Sequence, residues 1–169
     1  SDTVAMMANG LAGAVDLDEF RQAFQTMAVE LAKEIARDGE GATKLIEVTV
    51  DAAASFLQAK RVAKSIVNSP LVKTAVFGAD PNWGRVAMAI GKCEEQTDIL
   101  PEHVSITFGD LPVYQGHPLG EENLAALRAY LSQPEIAIRV SLGLGHASAT
   151  VWGCDLTCEY VTINGKYTT

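Results

Sequence analysis

Between Val15 and Asp51 the chain changes from helical to strand chemistry across one short glycine-bearing turn. In VDLDEFRQAFQTMAVELAKEIARDG, Phe20, Phe24, Met27, Leu31 and Ile35 recur at spacings of four and three, which gathers them on one face of an α-helix. Asp16 or Asp18 stands where such a helix begins, and Gly39 where it ends. TKLIEVTVD follows at once and reads as a strand. A helix and a strand this close in sequence must bury their apolar sides against other elements, which points to helices layered on a sheet.

The same alternation continues. AAASFLQAKRVAKSIVNS returns to helical chemistry before Pro70. A short run, LVKTAVFG, leads to ADPNWGRVAMAIGKC, where Asp80 is placed to cap a helix and Pro81 to open it. HVSITFGD and LPVYQG read as a strand pair, EENLAALRAYLSQ as a helix, and EIAIRVSLG, ASATVWGCDLTC and EYVTI as three more strands. Tight turns rather than helical crossovers join the last strands, so the fold class expected is α/β in the α+β sense, with a mixed, largely antiparallel sheet. The polar stretch GKCEEQTDILPEH suggests a helix-rich lobe over residues 1–98 and a β-rich lobe over 99–169, unless the two form one continuous domain.

With 169 residues, 48% of them hydrophobic, the chain can bury a real core. A net charge of -8 disfavours a surface that neutralises phosphates, so no nucleic acid partner is expected. No apolar run approaches the roughly 20 residues that cross a bilayer, and SDTVAMMANG lacks a basic leader, so a cytoplasmic protein with no membrane partner is expected. Cys93, Cys154 and Cys158 are too few for a disulfide framework. CDLTC would set two sulfurs on one face of a strand, but a zinc site needs two more ligands and none of His103, His117 or His146 forms a ligand-like pair. Buried thiols and no metal are expected.

Three motifs carry candidate chemistry. In RDGEGATKL, Gly39 and Gly41 bracket Glu40, leaving its carboxylate on a tight loop past a helix. It is either a solvated residue at a helix stop or, beside a pocket, a group that binds a substrate ammonium. In GADPNWGR, Trp83 is suited to filling a cavity and Arg85 to pairing with Asp80 or another carboxylate. In TINGKY, Asn-Gly between strand-like runs signals a two-residue hairpin, with Asn164 at positive φ. The competing reading turns the Asn164 amide, with the hydroxyl and terminal carboxylate of Thr169, toward a polar ligand. No phosphate-cradling loop, no GxSxG and no nucleophile with a base beside it are present, and the glycines before His146 precede strand rather than helix.

SDTVAMMANG, DGEGATKL, SPLVKTAVFGADPNWGR, WGCDLT and EYVTINGKYTT, in this order and along nearly the whole chain, resemble the β-chain of bacterial glutamate/ornithine N-acetyltransferases of arginine biosynthesis. The resemblance implies a layered fold shared with DmpA-like aminopeptidases and a precursor that cleaves itself before a threonine. That threonine takes acetyl from N-acetylornithine and passes it to glutamate without a cofactor, its own α-amine or a water serving as base. Matched residue by residue, Glu40, Asn164 and Thr169 are implied as substrate-binding residues. The nucleophilic threonine and the Thr-Gly oxyanion hole fall outside these 169 residues, and Thr3 does not replace the nucleophile. The resemblance therefore implies an α-chain partner from the same precursor, a higher oligomer of αβ units, and an inactive segment when alone. A paralogue of secondary metabolism with another acceptor, or a non-catalytic subunit of the same fold, would share these features.

Overall fold

A computed structural model describes residues 3–11, 13–93 and 98–166. The chain divides into two compact units, residues 1–32 and 33–169. The first holds an irregular lead and most of helix α1 (Leu17–Arg37). Asp16 starts that helix: its carboxylate accepts the amides of Asp18 and Glu19, each at 2.9 Å, and satisfies donors the first turn leaves unpaired. The apolar stripe forms as its spacing predicts, yet no described residue of α1 is buried; Phe24 is 38% exposed and Met27 54%.

The second unit is built on a five-stranded sheet of β1 (Leu45–Ala53), β2 (Ser105–Phe108), β3 (Leu111–Gln115), β4 (Glu135–Ser141) and β5 (Ala147–Cys154). Their order is β3-β2-β4-β1-β5. β1 runs parallel to β4 and the other neighbours are antiparallel, which makes the sheet mixed and largely antiparallel. One face is apolar throughout: Ile46, Val48 and Val50 of β1 and Ile138 and Val140 of β4 are fully buried. Alternation sends Glu47, Thr49 and Asp51 to the other face, where they are half-buried. There Glu47 accepts the indole N–H of Trp152 at 2.8 Å, and the hydroxyls of Thr49 and Thr150 meet at 2.9 Å across the strand pair.

Helices α2 (Phe56–Val67), α3 (Pro70–Phe77) and α4 (Trp83–Gly91) contribute Val62, Ile66, Val72, Val76, Val86 and Ile90 to the same core. α5 (Leu124–Leu131) adds Leu127 and Leu131. The short run LVKTAVFG is α3, with Ser69 as its cap and Pro70 in its first turn.

Four expectations are corrected. α4 starts at Trp83, not Pro81: Ala79 adopts φ 50, tight turns follow, and the Asp80 carboxylate accepts the Asn82 side-chain amide nitrogen at 3.2 Å rather than capping the helix. Arg85 does not pair with Asp80; it donates to the Leu71 carbonyl at 2.8 Å and the Thr74 hydroxyl at 3.1 Å, tying α4 to α3. Cys154 and Cys158 do not share a strand face, because Cys154 ends β5 and Cys158 begins a helix; Cys93 is buried, whereas Cys154 is half-buried and Cys158 exposed. Finally, EYVTI is no strand and Asn164-Gly165 no hairpin turn. Cys158–Lys166 form helix α6, whose start is fixed by the Thr157 hydroxyl accepting the Tyr160 amide at 3.3 Å. That cap outweighs the strand preference of Val161, Thr162 and Ile163, a preference that depends on having a sheet to pack into.

Candidate functional site

The loop between α1 and β1 carries Glu40. Gly41 sits at φ +67, a conformation a side chain resists, and a Cβ there would lie 2.8 Å from the Tyr160 nitrogen. At Gly39 an added Cβ would come within 2.6 Å of the Cys154 sulfur. Close approach to backbone and a positive φ thus require glycine at 41, while Gly39 leaves room for the Cys154 sulfur: the loop lies against the end of β5 on one side and the first turn of α6 on the other.

Polar groups fasten the loop where it is pressed. Asp155, only 3% exposed, accepts the amides of Thr43 at 2.8 Å and Lys44 at 3.0 Å and the Thr43 hydroxyl at 2.5 Å. Thr157, 6% exposed, donates its hydroxyl to the Gly41 carbonyl at 2.7 Å. Lys44 points the other way, its ammonium donating to the carbonyls of Val76 at 2.7 Å, Phe77 at 3.2 Å and Leu131 at 2.7 Å. Those carbonyls lie at the C-terminal ends of α3 and α5, where a cation is favoured. Desolvation lowers the Lys44 pKa from its ordinary value, and the nearby Asp155 charge opposes the shift.

Across this junction Glu40 and Asn164 meet. The Asn164 amide nitrogen donates to the Glu40 carboxylate at 2.6 Å, although the residues are 124 positions apart, and to the Tyr160 carbonyl at 3.0 Å. Both side chains are exposed. The amide spends its donors on these two oxygens, so what the pair presents is acceptor: the remaining lone pairs of a carboxylate and an amide carbonyl. Such a pair is suited to a cationic or N–H-bearing group and ill suited to an anion. Thr169, the third residue implied at this site, lies outside the described residues.

Sequence reading did not single out Asp155, Thr157 or Lys44. The available signal was an aspartate and a threonine flanking Leu156 directly after a strand-like run, polar residues where buried ones are costly unless bonded. Among the described residues no group of three or more His, Cys, Asp and Glu is gathered to hold a metal ion, and no helix is long and apolar enough to cross a membrane.

Comparison with known proteins gives this geometry a context. The arginine biosynthesis bifunctional protein ArgJ 2 of Nostoc sp. is 61% identical over 169 residues, which are 100% of this chain and 43% of the relative. The glutamate N-acetyltransferase Oat2 of Streptomyces clavuligerus is 55% identical over 173 residues, 100% of this chain and 44% of the relative. This chain therefore spans less than half the length of these curated relatives. The crystal structure of the arginine biosynthesis bifunctional protein ArgJ of Bacillus halodurans superposes with a TM-score of 0.87 at 42% identity, over 98% of this chain and 83% of that one. The α/β fold with its mixed five-stranded sheet is therefore the fold of that protein. The family model matches residues 1–169 from end to end, and the chain belongs to the ArgJ family.

Proposed function

We propose that this chain is the β-chain segment of an ornithine acetyltransferase that moves an acetyl group from N-acetylornithine to glutamate through a threonine acyl-enzyme, the threonine lying outside the segment. The observation that carries the reading is the meeting of Glu40 with Asn164 at 2.6 Å, which joins two residues implied as substrate-binding into one acceptor-rich surface. The Streptomyces relative, a glutamate N-acetyltransferase by name, supports it. So does chain length: this segment covers 83% of the crystallised Bacillus chain but 43% of the Nostoc protein, so that crystallised chain is itself only about half of a full-length relative.

In this reading the threonine hydroxyl attacks the acetyl carbonyl of N-acetylornithine, and its proton passes by way of the base to the departing ornithine amine. The acetyl ester left on threonine is then attacked by the glutamate amine, which restores the hydroxyl. Glu40 and Asn164 hold the side-chain ammonium of N-acetylornithine during the first of these steps, and Thr169 contributes to the same wall. Positioning of this kind supplies a large share of rate in a transfer with no cofactor. An α-chain from the same precursor completes the site, and the exposed stripe Phe20, Phe24, Met27, Leu31 and Ile35 is the face it covers. The segment alone is inactive.

The test is Glu40→Gln in the complete two-chain enzyme, which keeps shape and removes charge. Acetyl transfer to glutamate should lose about tenfold or more in kcat/KM, as expected when one charged contact of about 1.5–3 kcal/mol is lost. An unchanged kcat/KM refutes the assignment.

A further inference from the structure

We infer that Asp155 and Thr157 are positioning residues, which lock the Glu40 loop and the Asn164 helix into a single unit and so set the spacing of the two groups that face substrate. The inference rests on the substrate-binding reading of Glu40 and Asn164, but its evidence is separate. Asp155 and Thr157 belong to neither motif that carries those residues, and both are buried, at 3% and 6% exposure. Asp155 holds the loop from below through two amides and one hydroxyl. Its own amide donates to the Lys44 carbonyl at 3.2 Å, so the grip runs in both directions. Thr157 does two things with one hydroxyl: it donates to the carbonyl of Gly41, next to Glu40, and accepts the Tyr160 amide that starts α6.

From Tyr160 the coupling passes along one helical turn. The Tyr160 carbonyl accepts the Asn164 amide, whose nitrogen also reaches Glu40. Four hydrogen bonds link Gly41 to Thr157, Thr157 to Tyr160, Tyr160 to Asn164 and Asn164 to Glu40, and the peptide bond between Glu40 and Gly41 closes the circuit. A circuit restrains the Glu40–Asn164 distance from both ends, whereas an open chain of the same bonds would leave one end free to swing. Buried carboxylates that accept several backbone amides are well suited to this, because the alternative is an unpaired charge in the interior.

The experiment uses the complete two-chain enzyme with Thr157→Val, which keeps the shape and removes the hydroxyl, Thr157→Ser, which restores it, and each combined with Glu40→Gln. Thr157→Val should lower kcat/KM by about 10- to 100-fold, the scale of a misplaced binding group, and Thr157→Ser should return it to within about threefold. In the Glu40→Gln background, Thr157→Val should cost less than about threefold further, because it acts through Glu40. An equal loss in both backgrounds, or none in either, overturns the inference. Should Glu40→Gln alone prove neutral, the substrate reading fails while the clamp is still decided by amide exchange in Asp155→Asn and Thr157→Val. Faster exchange must appear together at Thr43, Lys44 and Tyr160; acceleration on one side only refutes the shared lock.

Discussion

Replacing Gly41 with alanine adds one carbon at the point where the loop touches α6, and replacing Gly165 with alanine adds the same carbon where no atom of the described residues lies within 4 Å. The two should have opposite signs. At Gly41 the residue sits at φ +67, which costs a β-carbon about 1–2 kcal/mol, and the new atom would stand 2.8 Å from the Tyr160 nitrogen and 2.9 Å from the Glu159 Cβ. Both neighbours belong to the capped first turn of α6 and cannot step aside as a flexible side-chain end would, so overpacking adds about 1–3 kcal/mol. A total near 3 kcal/mol corresponds to a Tm lowered by roughly 6–12 °C in a protein of this size. Gly165 lies inside α6 at an ordinary φ, and alanine there should stabilise by about 0.5–1 kcal/mol. Thermal unfolding of both variants beside the parent checks the pair. A Gly41→Ala loss below about 0.5 kcal/mol would show that loop and helix are not pressed together as described.

Lys44→Met should destabilise by about 2–4 kcal/mol, because the carbonyls of Val76, Phe77 and Leu131 lose their shared donor; denaturant unfolding measures it, and a loss under about 0.5 kcal/mol would mean water replaces the ammonium without cost. The lowered Lys44 pKa adds a sign: the folded state binds fewer protons there, so this residue's ionic contribution to stability rises as pH climbs toward 10.5, and the parent-minus-Met difference should grow in that direction. Phe24→Asp with Leu31→Asp places charge on the exposed stripe of α1 and, under the proposed function, should abolish copurification with the proposed α-chain while leaving the helical circular dichroism intact; undiminished copurification would assign the stripe another role.

What the residues revealed in advance were the elements that repeat a period against a partner layer. The strands of the sheet and helices α2 and α5 follow the hydrophobic pattern because each buries one side in the core. α6 escaped because its local composition favours a strand and what overrides that preference is distant. The Thr157 hydroxyl answers a carbonyl 116 positions earlier, and Asn164 answers a carboxylate 124 positions earlier. Nothing within a ten-residue window encodes those partners. The Asn-Gly pair misled for the same reason: in a hairpin it would supply positive φ, but here asparagine is chosen for an amide that bridges to Glu40, and Gly165 merely follows it within the helix. The family resemblance implied Asn164 and Glu40 as substrate-binding residues without placing them together; the contact between them is visible only in the folded chain.

The exposure of the Glu40–Asn164 pair bears on how it can discriminate. A carboxylate meeting an ammonium in open water gains about 0–1 kcal/mol, too little to select one amine from another. The same contact strengthens several-fold once a second surface excludes water and lowers the local dielectric. The chain supplies the geometry in advance, through a loop held by buried Asp155 and a helix started by Thr157, but it leaves the acceptors facing solvent. Rigid placement without enclosure gives orientation at little binding energy. Under the proposed function, specificity then calls for a second surface over these acceptors, and the pairing of the DGEGATK and WGCDLT motifs would present that surface with one fixed arrangement instead of many.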